Sequence, residues 1–146
     1  MMCVMKIRII TIAIAIMLMA ITAPAQYAPE PVRERLSSAP RAFRTFFAKF
    51  RSAVEKGRKA EVVSMTRFPF QYGYDAGDEG TYSRTQFLEN FKQLTGDFFG
   101  EYKMAKDPVF SKGDNGRYVI STESASHLSF ARSGNTFKFI AYYVEP

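Results

Sequence analysis

Apolar residues recur with helical spacing near the start of the folded part of the chain. They follow one another at i, i+3, i+4, i+7 and i+11, which places them on one face of an α-helix: Phe43, Phe46, Phe47, Phe50 and Val54. Pro40 suits the first helical turn, where its missing N–H costs nothing, and Gly57 is a typical stop. A short second helix is predicted over about residues 59–65.

The segment after these helices predicts extended structure. Helical spacing is lost in residues 67–72, because Pro69 disfavours the helical conformation of Phe68. A proline within a strand pattern is typical of an edge strand, so a short edge strand or an extended segment is predicted here. Residues 73–80 contain three glycines and three acids, which indicates a loop.

A capping box predicts the start of the next helix. Ser83 occupies the N-cap position and Gln86 follows three residues later, so each side chain can cap a backbone N–H at the helix start. Gly96 is predicted to end this single helix. The apolar face of the helix comprises Phe87, Leu88, Phe91 and Leu94.

The last third of the chain predicts two β-hairpins. Residues 108–111 and 117–122 flank one polar, glycine-containing loop, and residues 127–131 and 136–144 flank another. Because the helices come early and the strands late, the sequence predicts an α+β fold with helices on one face of an antiparallel sheet.

The last predicted strand has two largely apolar faces. With regular alternation, one face carries Phe137, Phe139, Ala141 and Tyr143, and the other carries Lys138, Ile140, Tyr142 and Val144. A strand that is apolar on both faces is typically central in its sheet or covers an interface.

The first 25 residues have the three parts of a secretory signal peptide. Lys6 and Arg8 precede an uncharged apolar run over residues 9–21, and a small-residue tripeptide follows at residues 23–25. The run is shorter than the ~20 residues that a transmembrane helix needs, so no stable membrane insertion is expected after cleavage. The predicted organisation is a signal peptide (1–25), an irregular lead-in (26–38) and one domain (39–146), exported to the periplasm or the medium.

Composition and charge exclude several kinds of site. The only cysteine, Cys3, lies in the predicted leader, which excludes disulfides and thiolate metal sites from the mature chain. The acids of residues 73–80 miss the spacing of a calcium loop, and no metal or cofactor is predicted. Residues 33–67 hold ten cations and three acids. These cations follow the water face of the first helix, whereas its aromatic residues follow the buried face, so weak attraction to envelope anions is expected but nucleic-acid binding is not.

The order of elements resembles the nuclear transport factor 2-like superfamily over most of residues 39–145. The resemblance rests on the aromatic helix with the phrase EVVSMTRFPF (61–70), the helix start SRTQFL (83–88) and the closing hairpin FARSGNTFKF (130–139). It implies a curved antiparallel sheet packed around a long N-terminal helix, with a cone-shaped pocket. Family members use this fold for isomerisation, dehydration, small-molecule binding or dimerisation through the sheet, and the fold alone does not choose among them.

The resemblance also implies where a ligand would bind. Catalytic members carry a tyrosine or an aspartate that faces the pocket, whereas the apolar face of the first helix here has no acid or hydroxyl, so no catalytic residue is predicted. The expected function is a non-catalytic binding domain for a small apolar ligand. The predicted pocket residues are Phe47, Phe50, Phe70, Tyr72, Tyr82, Phe91, His127 and Tyr143.

Two alternative functions stay open at this point. A homodimer or partner complex would use the outer sheet face, because Ile140, Tyr142 and Val144 make that predicted face apolar. An isomerase- or lyase-type enzyme would need an acid or a histidine in the pocket, and the candidates are Asp97, Glu101, Glu123 and His127. The neighbouring serines Ser124, Ser126 and Ser129 suggest a serine–histidine pair, although alternating serines are more typical of a solvated sheet face.

Overall fold

The computed structural model describes residues 33–74, 77–99, 104–113, 115–122 and 125–145, without the side chains of residues 97–99. The helices within these ranges are a 3-10 turn at Leu36–Ser38, α1 (Arg41–Glu55), α2 (Lys59–Ser64), α3 (Arg84–Glu89) and α4 (Phe91–Phe99). The strands are β1 (Glu34–Arg35), β2 (Thr66–Gly73), β3 (Glu79–Tyr82), β4 (Val109–Lys112), β5 (Tyr118–Ser121), β6 (Ser126–Ser133) and β7 (Thr136–Val144). No helix in the described ranges is long and apolar enough to cross a membrane.

The strands form one mixed sheet in the order β1-β4-β5-β6-β7-β2-β3. The fold is therefore α+β, and β7 is central, as its two apolar faces predicted. The prediction of an antiparallel sheet is wrong at one pair, because β2 and β7 run parallel. Parallel neighbours need a long crossover, and the chain between these two strands supplies it with α3, α4 and four further strands.

Strand β2 lies inside the sheet, between β7 and β3, so its prediction as an edge strand is wrong. Its pairing with β7 is interrupted between Thr66 and Gln71. Pro69 lies within this interruption, where the lack of an N–H removes no ladder bond to β7. The predicted loop over residues 73–80 is shorter than expected, since β3 begins at Glu79 and the Tyr74 N–H already donates to the Asp78 carbonyl at 2.8 Å.

Helix α1 packs an aromatic face against the sheet. All five residues predicted for that face are buried. The ring of Phe43 stacks on Tyr118 of β5, with ring centroids 4.7 Å apart. The ring of Phe50 contacts Phe130 of β6 and Phe139 of β7 at 5.2 Å and 5.0 Å. These aromatic contacts make the interior between α1 and the sheet the main hydrophobic core.

Regular structure begins earlier than predicted. Residues 34–38, assigned from the sequence to an irregular lead-in, form β1 and the 3-10 turn, and β1 pairs with β4. The Ser37 backbone N–H and hydroxyl both donate to the Asp107 carboxylate at 2.8 Å. These contacts tie the segment to the sheet edge. The predicted signal peptide and residues 26–32 lie outside the described ranges.

The region predicted as one helix is two. Helix α3 ends at Glu89 and α4 begins at Phe91, while Gly96 lies inside α4 and does not end it. Asn90 caps α3, because its side-chain amide donates to the Gln86 carbonyl at 2.8 Å. The same carbonyl also accepts from the Asn90 backbone N–H at 3.0 Å, so both donors of Asn90 bond to the last turn of α3, at a break that the apolar spacing alone does not indicate.

The predicted capping box is confirmed and gives a stability prediction. Ser83 accepts from the Gln86 N–H at 3.3 Å, and the Gln86 side chain accepts from the Ser83 N–H at 2.8 Å. Ser83→Ala is expected to lower the free energy of unfolding by about 1 kcal/mol. Urea titration followed by circular dichroism measures this loss. Exposed Thr85 is the matched control, and an equal loss in Thr85→Ala would contradict the capping argument.

A β-bulge in β7 reverses the side-chain alternation of the last strand. Ser129 pairs with Ala141 while the next residue, Phe130, pairs with Phe139, which leaves Ile140 as an extra residue in β7. Phe137 and Phe139 belong to the core, and after the bulge Tyr142 does too, with Val144 packed against it. The predicted faces are therefore wrong beyond Ile140: Tyr142 and Val144 point to the core, and Tyr143 points to the opposite face.

Candidate functional site

The face of the sheet opposite the core carries a row of three polar side chains on neighbouring strands, which ends at Gly73 of β2. Ser121 pairs with His127, His127 with Tyr143, and Tyr143 with Gly73. Their strand neighbours Ile120, Leu128 and Tyr142 belong to the core, so by alternation the row lies on the other side of the sheet. We call this side the outer face. The row brings a hydroxyl, an imidazole and a phenol together.

One ring nitrogen of His127 forms a hydrogen bond, and the other has no hydrogen-bond partner within the described part of the chain. Its Nδ1 lies 2.8 Å from the Ser121 hydroxyl in a hydrogen bond. Its Nε2 is buried and has no hydrogen-bond partner within the described part of the chain. The carboxylate of Glu145 lies 3.3 Å from Nε2, which is ion-pair range, but the orientation is not that of a hydrogen bond. A buried polar atom without a partner is uncommon in proteins and calls for an explanation.

Tyr143 lies flat across the backbone of Gly73. A Cβ atom at position 73 would come within 2.7 Å of the tyrosine ring carbon Cδ1, so the close approach of the ring requires glycine there. The Tyr143 hydroxyl donates to the Gln71 side-chain oxygen at 3.3 Å. These contacts with β2 fix the position of the ring, which forms an apolar surface beside His127.

A cavity of ≈ 370 Å³ lies over this row and is lined by Ser121, His127, Tyr143 and Glu145. Arg33 and Arg117 also line it, together with Ser111, Ser129 and the apolar residue Val119. Tyr143 separates this cavity from a second depression of ≈ 280 Å³, which is lined by Gln71 and Glu79 among others. The larger cavity has the size and the mixed lining that small-molecule sites have.

The structure divides the eight predicted pocket residues among three places. Four phenylalanines are core residues at most 3% exposed: Phe47, Phe50, Phe70 and Phe91. Tyr72 and Tyr82 stack on each other at 4.3 Å on β2 and β3, beside the core. His127 and Tyr143 lie on the outer face. The structure therefore brings His127 and Tyr143 together, and separates them from the phenylalanines by the thickness of the sheet.

Ser121, the hydrogen-bond partner of His127, was not among the serines singled out from the sequence. Ser126 points to the core side, where its hydroxyl lies 3.1 Å from that of Tyr142, and Ser129 lines the outer cavity. Ser124 lies outside the described ranges. Ser121 could have been identified from the expected register of the hairpin, since a turn centred near residue 124 brings positions 121 and 127 opposite each other.

The remaining candidates for acid–base or metal chemistry are not placed by the structure at this site. Glu101 and Glu123 lie outside the described ranges, as does the side chain of Asp97. Within the described ranges, no three His, Cys, Asp or Glu residues gather in a way that could hold a metal ion. The arrangement that is described can bind and orient a polar group through His127, Ser121 and the two arginines.

Comparison with known proteins adds a structural similarity. No protein-family model matches the chain, and no curated protein matches it either. Among solved structures, the chain is similar to a "putative ketosteroid isomerase" from Shewanella frigidimarina NCIMB 400, with 13% sequence identity and a TM-score of 0.42. The match covers 70% of this chain and 93% of the other.

Proposed function

We propose that the protein is a non-catalytic binding domain whose site is the cavity on the outer face, and that its ligand is a small organic acid. Arg33 and Arg117 supply positive charge for an acidic group. Val119 and the ring of Tyr143 supply apolar surface for the body of the ligand. The cavity volume of ≈ 370 Å³ suits a molecule of this kind.

The observation that carries the proposal is the unsatisfied Nε2 of His127. When the Ser121 hydroxyl donates to Nδ1, the imidazole tautomer has its proton on Nε2, which then requires an acceptor. The Glu145 carboxylate already lies 3.3 Å from that nitrogen, although its side chain is 66% exposed and unhindered on the solvent side. A ligand carboxylate that replaces it can form the hydrogen bond that Glu145 does not form.

This proposal differs from the apolar ligand in a cone that the sequence predicts. The phenylalanines expected to line the cone contact other rings, as Phe70 does with Phe87 and Phe139 at 5.0 Å and 4.7 Å. The outer cavity instead offers polar and charged side chains that can recognise a specific ligand. We keep the nuclear transport factor 2-like assignment as part of the proposal, supported by the α+β order and a mixed sheet that packs against α1. Export to the periplasm or the medium is proposed on the leader pattern of residues 1–25.

Benzoate is a suitable probe, because it combines a carboxylate with a flat apolar body. His127 is the only histidine in the chain, so its imidazole signals in a carbon–proton NMR spectrum are unambiguous. We expect benzoate to shift these signals together with those of Val119. His127→Gln is expected to weaken binding by at least about tenfold, since a charge-assisted hydrogen bond contributes about 1.5–3 kcal/mol.

Two further variants sharpen this test. Glu145→Gln is expected to strengthen benzoate binding, because it removes the carboxylate that competes for Nε2. Arg132→Gln is the matched control, since Arg132 is an exposed cation that the cavity lining does not include. Benzoate shifts confined to the core, or equal weakening in the His127 and Arg132 variants, would contradict the outer-face site.

The two alternative functions use the same face. The case for a homodimer through an apolar outer face is weaker than the sequence implies, because Tyr142 and Val144 contribute to the core side. Native mass spectrometry of the protein tests it through the subunit number. An isomerase- or lyase-type reaction would use His127 as the acid–base group beside Ser121. Turnover of a bound acid that is lost in His127→Gln would favour that alternative over simple binding.

A further inference from the structure

The surface of α1 that faces away from the core is strongly basic. The segment Arg41–Glu61 contains seven cations and two acids. Four of the cations are exposed on α1 or at its end: Arg41, Arg44, Lys49 and Lys56. Exposed Lys59 begins α2 directly afterwards. We call these five residues the basic face.

The two acids of this segment do not neutralise the basic face, because each is paired with another cation. The Glu55 carboxylate accepts from Arg51 at 2.8 Å, and the Glu61 carboxylate accepts from Arg58 at 3.2 Å. Arg51 also donates to the carbonyls of Met104 and Ala105, which turns it toward the protein. Within the described ranges, none of the five basic-face residues forms an ion pair. The Lys59 ammonium lies 5.6 Å from the centre of the Phe91 ring, and the other four residues are exposed to solvent.

The basic face carries no bulky side chain between its cations. The residues between its cations on the exposed side of α1 are small: Ala42, Thr45, Ala48 and Ser52. Small side chains allow long lysine and arginine side chains to reach the same plane on both flanks of the helix. No aromatic residue is exposed on α1, so the stacking groups that single-stranded nucleic acid requires are missing from this helix.

We propose that the basic face docks the folded domain on an anionic phospholipid bilayer. An array of exposed cations without ion pairs complements the negative surface potential of such a membrane. The leader pattern of residues 1–25 predicts that the chain is exported across a membrane, so the folded domain is expected to meet that membrane's surface. The basic face lies on the helix side of the sheet, so docking leaves the outer-face cavity open to solvent.

Vesicle co-sedimentation tests the proposal with the protein expressed with its leader and recovered in the form that the cell processes. We expect binding to vesicles of mixed phosphatidylcholine and phosphatidylglycerol, little binding to phosphatidylcholine alone, and loss of binding as salt rises. Each surface cation contributes about fivefold to such binding, so Arg44→Gln combined with Lys49→Gln is expected to weaken it about thirtyfold.

A charge-matched control separates the basic face from net charge. Lys112→Gln combined with Arg132→Gln removes two exposed cations that belong to β4 and β6 and not to the basic face, and is expected to change binding less than about threefold. Equal losses in the two double variants, no preference for phosphatidylglycerol, or tighter binding to an RNA oligonucleotide would each overturn the proposal. Unchanged benzoate shifts at His127 in the Arg44/Lys49 variant show that any loss concerns the membrane surface alone.

Discussion

Phe43→Ala is expected to lower the free energy of unfolding by about 3–5 kcal/mol, the range for removing a buried aromatic ring. Phe43 is 0% exposed. Its ring contacts six others, with centroids between 4.7 Å and 6.4 Å away: Phe46, Phe47, Phe110, Tyr118, Phe130 and Phe137. Because these rings come from α1 and from β4, β5, β6 and β7, the cavity left by alanine cannot close by moving one element. The expected loss is therefore a large share of the free energy of unfolding of a typical domain, which is about 5–15 kcal/mol.

Urea titration monitored by circular dichroism measures this effect. The slope of the transition is expected to stay unchanged, since a change in slope would indicate an altered unfolded or native state instead of lost packing. Phe43→Leu keeps much of the volume and is expected to cost less than Phe43→Ala. Ala48→Ser, on the exposed side of α1, is expected to change stability by less than about 0.5 kcal/mol. A Phe43→Ala loss as small as that of the Ala48 variant would contradict the described core.

The elements that the sequence predicts well are those set by local physics. The buried face of α1 follows from residue spacing alone, because a helix places every third or fourth residue on one side. The capping box follows from Ser83 and Gln86 alone, since both bonds close within one turn. The hairpin between β6 and β7 is likewise local, with Gly134 in the left-handed conformation that its turn requires.

The elements that the sequence does not predict depend on distant partners. Pro69 indicates an edge strand on local grounds, yet β2 is interior because its pairing with β7 is already interrupted around that proline. The parallel direction of this pair depends on where the chain returns after four further strands. The short strand β3 has no apolar alternation of its own, and it forms because β2 offers a free edge from Phe70 to Gly73.

The candidate site is partly predictable for the same reasons. His127 is a candidate from its chemistry alone, as the only histidine of the chain, and Tyr143 from its place in the last strand. Their position on the outer face is not predictable, because both faces of β7 are apolar and the alternating pattern does not reveal an extra residue. Regular alternation places Tyr143 beside Phe139, whereas the bulge at Ile140 places it beside His127.

Deleting Ile140 is expected to remove the bulge and to keep the outer-face site. Phe139 and Ala141 become consecutive, and their pairs with Phe130 and Ser129 then follow one another without a break. Regular alternation therefore leaves Tyr142 and Val144 on the core side and Tyr143 on the outer face. The deletion loses the buried side chain of Ile140, which costs about 1.5–3 kcal/mol of the free energy of unfolding. The benzoate response at the His127 imidazole is expected to persist.

Ile140→Ala is the matched control for this deletion, because it removes a side chain that is 3% exposed but keeps the number of residues in β7. It is expected to be destabilised by about 2–5 kcal/mol. Both variants are expected to retain the nuclear Overhauser contact between the His127 and Tyr143 rings. If the deleted chain folds and loses that contact while the alanine variant keeps it, Ile140 is not the extra residue of β7. If both keep it, β7 contains one residue more than its pairing with β6 uses, and this extra residue reverses the alternation that the sequence predicts for Tyr143.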